Sequence, residues 1–278
     1  MSAAASLSEP APQRARGRLL LELCRDGATT RLADLRQEGC LKLRFPRRHG
    51  AAAVEAVLLN TAGGVAAGDD LATRVVLGEG AQALLSAQAA ERFYRALPGA
   101  APARVETVLH LAPDASLEWL PQESIVFDQA AFTRVLRIEM SAAARFLGVE
   151  SLVFGRTAMG ERVRRARLHD RIELHRDGEL LLHEALRFEG EVAARLARPA
   201  VASGAAALAT LLVVDPAAES LLAPLRAALA PCEAGASAWN GLLLARILAP
   251  DGAALRTTLQ AALAVLRPDR PLPRVWMC

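Results

Sequence analysis

A mainly β fold of the α+β class is predicted for this 278-residue chain by three patterns. Two segments, Arg104 to Leu111 and Phe132 to Met140, alternate with period two, as strands with one buried face do. Asp177-Gly178 separates two further alternating runs, the sequence of a tight hairpin. Helical spacing of apolar residues appears only in the last third. Strands in series followed by late helices argue against an alternating βαβ order.

Taken in order, Met1 to Gly17 is rich in Ala, Ser and Pro, with no apolar block. It is expected to be a disordered tail, and it lacks the apolar centre of a secretory signal. Leu19 to Cys24 reads as a strand that turns at Asp26-Gly27. Val54 to Leu59 runs into a turn carrying Gly63, Gly64 and Gly68, and Leu71 to Leu77 leads out to Gly78-Glu79-Gly80. Ala83 to Ala90 fits strand or helix. In the first alternating segment Val105, Thr107 and Leu109 share a face, and Pro113-Asp114 turns the chain. Leu117 to Leu120 is a short strand closed by Pro121. In the second alternating segment Phe132, Arg134, Leu136 and Ile138 share a face. Phe146 to Phe154 is a strand ending at Gly155, and Val163 to His175 with Glu179 to Phe188 form the hairpin. Ala217 to Ala230 places Leu221, Leu222, Leu225 and Leu229 at helical spacing and stops at Pro231. Leu242 to Leu248 is a strand. Asp251 is placed to cap a helix over Ala254 to Leu266, whose Leu255, Leu259, Leu263 and Leu266 form one face. No repeat period emerges, and no linker divides residues 18–278, so a single domain is expected there.

Composition narrows the function. A net charge of +3 is small for this length and lacks the concentrated basic face of a nucleic-acid binder. No apolar run reaches the ~18 residues of a membrane span. The longest, Ala205 to Val214, ends at Asp215-Pro216. Cys24, Cys40, Cys232 and Cys278 are scattered with no C-x-x-C pair, which argues against a zinc ribbon or redox motif and suits reduced thiols in the cytoplasm.

The glycine-rich turn ends in Asp69-Asp70. It is not a P-loop, because no Gly-Lys-Ser/Thr follows, nor a dinucleotide fingerprint, because a strand follows rather than a helix. Glycine and aspartate are ordinary turn residues, so a plain turn and a ligand site both stand. Glu118, Glu123 and Asp128 surround Trp119-Leu120-Pro121-Gln122. Such oxygens suit hard or borderline cations, and equally a solvated hairpin end. His49, His110, His169, His175 and His183 show no metal-binding spacing. There is no G-x-S-x-G elbow, and nothing marks Cys40 as a nucleophile.

Four blocks then carry a resemblance. Leu59-Asn60-Thr61-Ala62-Gly63-Gly64-Val65 through Gly68-Asp69 is the first. Ser86-Ala87-Gln88-Ala89-Ala90-Glu91-Arg92-Phe93-Tyr94-Arg95 is the second. Leu117-Glu118-Trp119-Leu120-Pro121-Gln122-Glu123 with Phe127-Asp128 is the third, and Phe154-Gly155-Arg156-Thr157-Ala158-Met159-Gly160-Glu161 the fourth. In this order, with Pro273-Arg274-Val275-Trp276 at the end, they resemble the urease accessory proteins UreD (UreH in some organisms). Departures are small: Ala67 stands where a glycine is usual, and Ser86 where a threonine is.

The resemblance implies a non-enzymatic scaffold of urease maturation. Such a scaffold binds a UreF-type partner, which recruits a UreG-type GTPase, and the assembly docks on apo-urease and assists nickel insertion. It implies layered mixed sheets with a β-helix-like winding and no tightly bound cofactor, only transient Ni2+. It also implies an internal passage, which makes Asp69, Glu118, Glu123 and Asp128 candidate transient ligands. Isolated carboxylates release nickel more readily than a His/Cys cage, so their scatter suits transit. Arg156 and Glu161 suit a buried ion pair between sheets. Tyr94 and Arg95 are types enriched at interface hot spots, and equally structural. The rival readings are an adaptor without a metal path and an enzyme using Asp69 and Glu123 as an acid/base pair.

Overall fold

The computed structural model describes residues 13–46, 52–156, 159–268 and 270–277. Most of the expected tail, His49, residues 157 and 158 of the fourth block, and Cys278 lie outside them. The chain opens with a hairpin, β1 (Arg16–Asp26) and β2 (Thr29–Gly39), followed by β3 (Leu41–Arg44). A coil follows: β4 (Val54–Asn60), β5 (Asp70–Leu77), β6 (Gln82–Ala87), β7 (Glu91–Phe93), β8 (Ala103–Leu111), β9 (Ser116–Leu120) and β10 (Ser124–Val126). It continues through β11 (Ala131–Met140), β12 (Arg145–Phe154) and β13 (Arg165–Arg176), and β14 (Glu179–Glu191) folds back. The last third holds α1 (Val192–Leu196), β15 (Ala207–Val214), α2 (Leu222–Leu229), β16 (Glu233–Trp239), β17 (Leu242–Ala249) and α3 (Gly252–Leu266).

Two mixed sheets result. One runs β14-β13-β11-β8-β5-β1-β2, the other β16-β17-β15-β12-β9-β6-β4-β3. Within the coil the chain crosses between sheets once per half-turn. Thus β5, β8, β11 and β13 pair in parallel in the first sheet, and β4, β6, β9 and β12 in the second. The winding is β-helix-like, as the resemblance implied. Its first-sheet strands start at Asp70, Ala103, Ala131 and Arg165, so the turns differ in length and leave no sequence period.

The sheets face each other across a core that includes Leu21, Leu85, Leu109, Leu117, Phe132, Ile138 and Phe146. Each such side chain contributes about 1.5–3 kcal/mol by leaving water. Helices α2 and α3 cover the other face of the second sheet. Leu225 and Leu229 of α2 and Leu255, Leu259 and Leu263 of α3 pack with Leu147, Val149, Leu211 and Ile247. Asp251 caps α3 as expected, its side chain accepting from Ala254 N at 2.8 Å. Asp177 and Gly178 both have positive φ, 51° and 83°, the backbone that a two-residue hairpin turn needs. Ala83 to Ala90 resolves as the strand β6 and a bend. The apolar run near Ala205 is β15, buried on both faces.

Candidate functional site

The four sequence blocks are successive rungs of one corner of the coil. Each lies where the chain leaves the second sheet, crosses a short third face and enters the first. Val65 bridges Phe93 there, and β7, β10 and the end of β12 pair in parallel. Side chains clasp the rungs together. Gly64 has φ +149°, and a Cβ on it would stand 2.4 Å from the Tyr94 ring and 2.8 Å from Arg92 O. Only glycine admits both. Tyr94 O–H donates to Gly63 O at 2.6 Å and meets Phe127 edge-on at 5.2 Å. Arg156 lies over the Phe127 ring at 4.3 Å and pairs with Glu161 at 2.7 Å.

The sequence-predicted carboxylates stand at this corner or near it, each with its own partners. Asp69 is 4% exposed. Its Oδ1 accepts from Ala15 N at 2.8 Å and its Oδ2 from Ala66 N at 2.7 Å, tying the turn to the entry of β1. Asp128 Oδ1 accepts from Arg164 N and Arg165 N, at 2.8 and 2.9 Å. Glu123 faces Arg256 at 3.4 Å. Glu118 points to the opposite face of β9 from Trp119, where Arg267 pairs with it at 2.8 Å and Arg270 also pairs. The fold does not gather these four. Arg95 is exposed, and its backbone bridges Ala130. The Arg156–Glu161 pair forms, but with Arg156 44% exposed it is a surface clasp, which corrects the expectation of a buried pair between sheets.

Behind the corner, between the sheets, lies a cavity of about 250 Å³. Leu58, Leu71 and Val105 form part of its apolar wall, and Asn60, Glu91, Arg134 and Glu150 its polar wall. Arg134, on β11, is the hub. Its Nε and Nη2 donate to the two oxygens of Asp170, its register partner on β13, at 2.8 and 2.6 Å. Its Nη1 donates to Ser124 Oγ at 2.8 Å and lies 2.9 Å from Glu150 Oε2. Glu150 also accepts from Trp119 Nε1 at 2.8 Å. Glu91 is held by Asn60 Nδ2 at 3.1 Å, and the same amide reaches Gly64 O in the glycine-rich turn. Burial pushes the Glu91 carboxyl above the ordinary carboxylate range, against Asn60 and the Arg92 N–H. Burial also raises Glu150, against Arg134. For Arg134, burial opposes the charge, but Asp170 and Glu150 outweigh it and hold the guanidinium more firmly protonated than usual. Arg134 thus stands among three carboxylates, and a second arginine, Arg92, also lines the cavity. Among the described residues, no group of three or more His, Cys, Asp or Glu is arranged to hold a metal ion.

A family model described as UreD urease accessory protein matches residues 15–277. The chain belongs to the UreD family. Similar relatives include a urease accessory protein UreD of Methylobacterium sp. (strain 4-46), 47% identical over 99% of both chains. Another, of Xanthobacter autotrophicus, is 47% identical over 95% of this chain and 90% of its own. Urease accessory protein UreD 3 of Bradyrhizobium sp. (strain BTAi1 / ATCC BAA-1182) is 43% identical over 99% and 98%. UreD proteins are non-catalytic chaperones with a role in urease maturation, so this UreD-family chain is an accessory protein and not an enzyme. Among the described residues no helix is long and apolar enough to cross a membrane.

Within this UreD fold, sequence reasoning passed over Asn60, Glu91, Arg134, Glu150 and Asp170 as a group. A signal existed for Arg134, which shares the alternating face of Phe132, Leu136 and Ile138. A charge on a buried register needs buried partners. Glu150 interrupts the apolar strand Phe146 to Phe154 in the same way.

Proposed function

We propose that this chain, as one domain over residues 18–278, is a cytoplasmic scaffold that passes nickel toward apo-urease through its interior. In this reading it binds a UreF-type protein, which brings a UreG-type GTPase, and the assembly docks on apo-urease. The observation that carries the nickel path is the cavity between the sheets, whose wall places the carboxylates Glu91 and Glu150 beside Arg92 and Arg134. Scattered buried carboxylates attract a divalent cation without caging it, which a conduit requires. We assign the lining to Glu91 and Glu150. Asp69, Glu118 and Asp128 do not border that cavity and act as framework, and Glu123 stands nearer the outside, against Arg256. Tyr94, Arg156 and Glu161 hold the corner, and Arg95 is the one of these side chains offered as an interface anchor.

Glu91→Gln tests this reading. Co-expressed with the partner proteins and apo-urease, the variant is expected to assemble normally and to leave urease with several-fold less nickel. Asp69→Asn and Glu123→Gln serve as comparisons. Full nickel content with Glu91→Gln and Glu150→Gln, in intact complexes, would replace the conduit with a pure adaptor. That second reading is favoured by the absence of a metal-holding group among the described residues.

A further inference from the structure

We infer that Asn60 is the positioning residue of the cavity: its side-chain amide, locked by the glycine-rich turn, aims Glu91 and favours its ionised form. The inference rests on the conduit reading, in which Glu91 lines the path, and adds which residue controls that group. Asn60 ends β4, and its amide is bonded on both sides. Its Oδ1 accepts from Ala62 N at 3.0 Å, the side-chain turn that asparagine favours. Its Nδ2 donates to Gly64 O at 3.1 Å and reaches both oxygens of Glu91, at 3.3 and 3.1 Å. A backbone N–H can only donate and a carbonyl can only accept, so neither Ala62 nor Gly64 permits the amide to turn over. Glu91 therefore always meets N–H groups and never the amide oxygen. The turn itself is held to the next rung, with Val65 N donating to Arg92 O at 2.7 Å and Tyr94 O–H to Gly63 O at 2.6 Å.

Glu91 depends on this amide more than its neighbour Glu150 does. Glu150 has Arg134 within 2.9 Å. The hydrogen bonds to the Glu91 side chain come from neutral N–H groups, those of Asn60 and of the Arg92 backbone at 3.2 Å. The titratable and charged groups that face it are Cys40, Arg92 and Arg134, with Glu150 on the same cavity wall. Glu123 gives its carbonyl to the Glu91 N–H, while its own carboxylate faces Arg256. Burial penalises the Glu91 charge, and the Asn60 bond is the foremost influence opposing that penalty, ahead of Arg92 and Arg134. A hydrogen bond to the charged form of an acid favours that form. A neutral amide also leaves the charge of the carboxylate uncancelled, which an arginine in its place would not.

The test follows melting temperature against pH, without added metal, for the full chain co-purified with its UreF-type partner. The folded-state value of Glu91 lies above the unfolded one, so stability falls as pH rises through the window between them. Asn60→Ala removes a bond that favours the carboxylate, and Glu91 then keeps its proton to higher pH. The variant is expected to extend the fall in melting temperature to higher pH, so that it loses more against the parent above the window than below it. In a Glu91→Gln background the same substitution is expected to cost an amount that does not change with pH across the window. Asn60→Ser is the second variant. Its hydroxyl can still accept the Ala62 N–H, but it is too short to reach Glu91. It is expected to displace the profile as Asn60→Ala does, with a smaller loss overall. A parent-like profile in both variants, or a displacement that persists with Glu91→Gln, overturns the proposal. Failure of both variants to assemble would make Asn60 a residue of the turn alone and overturns it too. Failure of the conduit reading is separate: it shows as full urease nickel content with Glu91→Gln in intact complexes, whatever the pH profile of the Asn60 variants.

Discussion

Two buried ion clusters sit on opposite faces of the second sheet, and their charge ratios are reversed. Between the sheets, Arg134 serves Asp170 and Glu150, with Glu91 on the same cavity wall. Under the C-terminal end of α3, one carboxylate, Glu118, serves two arginines, Arg267 and Arg270. The first group borders a cavity of about 250 Å³, which Arg92 also lines. The second is closed by the chain's own end. Arg267 Nη1 donates to Pro271 O at 3.2 Å, Trp276 Nε1 to Leu120 O at 3.0 Å, and Gln122 Nε2 to Val275 O at 2.5 Å. Glu118 is thus a staple that ties the tail to β9. A buried carboxylate is available to a passing cation only where the protein has left its charge unmatched. By that criterion Glu91, whose side-chain partner is the neutral Asn60 amide, qualifies and Glu118 does not.

The largest expected effect is at Arg134. Arg134→Met leaves Asp170 and Glu150 buried without a counter-ion, which costs about 3–5 kcal/mol and lowers the denaturation midpoint of the purified complex accordingly. Arg267→Met is expected to cost less, about 2–3 kcal/mol, because Arg270 still faces Glu118. Equal losses at both sites would erase the distinction between an unmatched cluster and a matched one.

The pH response probes the first cluster. Glu91 and Glu150 have folded-state values raised by burial. Between the ordinary carboxylate range and those raised values, the native chain holds protons that the unfolded chain has released. Stability therefore falls as pH rises through that window. Glu91→Gln removes one of these groups and is expected to flatten the slope of melting temperature against pH there. Glu118→Gln is expected to lower stability by breaking the pairs with Arg267 and Arg270.

How far the sequence foretold this molecule depends on the range of the signal. The hairpin at Asp177-Gly178, the capped helix after Asp251 and the alternating strands were legible, because each is written in adjacent residues. The corner strands β7 and β10 are three residues long and carry no period. The strand β15 has Leu212 and Val214 toward the first sheet and Leu211 and Val213 toward the helices. An apolar run without alternation follows from that double burial, and it hid the strand. The exposed β2 alternates poorly for the opposite reason. The four blocks were visible as sequence, but their stacking on one corner depends on pairing across the coil, which no local pattern records. The cavity cluster was the least legible. Its members come from separate rungs and are united only by the winding.

The smallest expected effect belongs to Arg270, and it decides whether the staple works by charge or by closure. Its side chain is 58% exposed, whereas that of Arg267 is 2% exposed on the same carboxylate. Solvent screens the outer arginine, and an exposed pair contributes little. Arg270→Ala is therefore expected to cost under about 1 kcal/mol, read as a small shift in denaturation midpoint. A loss as large as that of Arg267→Met would mean that Glu118 needs both cations. In that case the second cluster would hold its carboxylate by net charge, as the first does, and the contrast between the two would rest on the cavity alone.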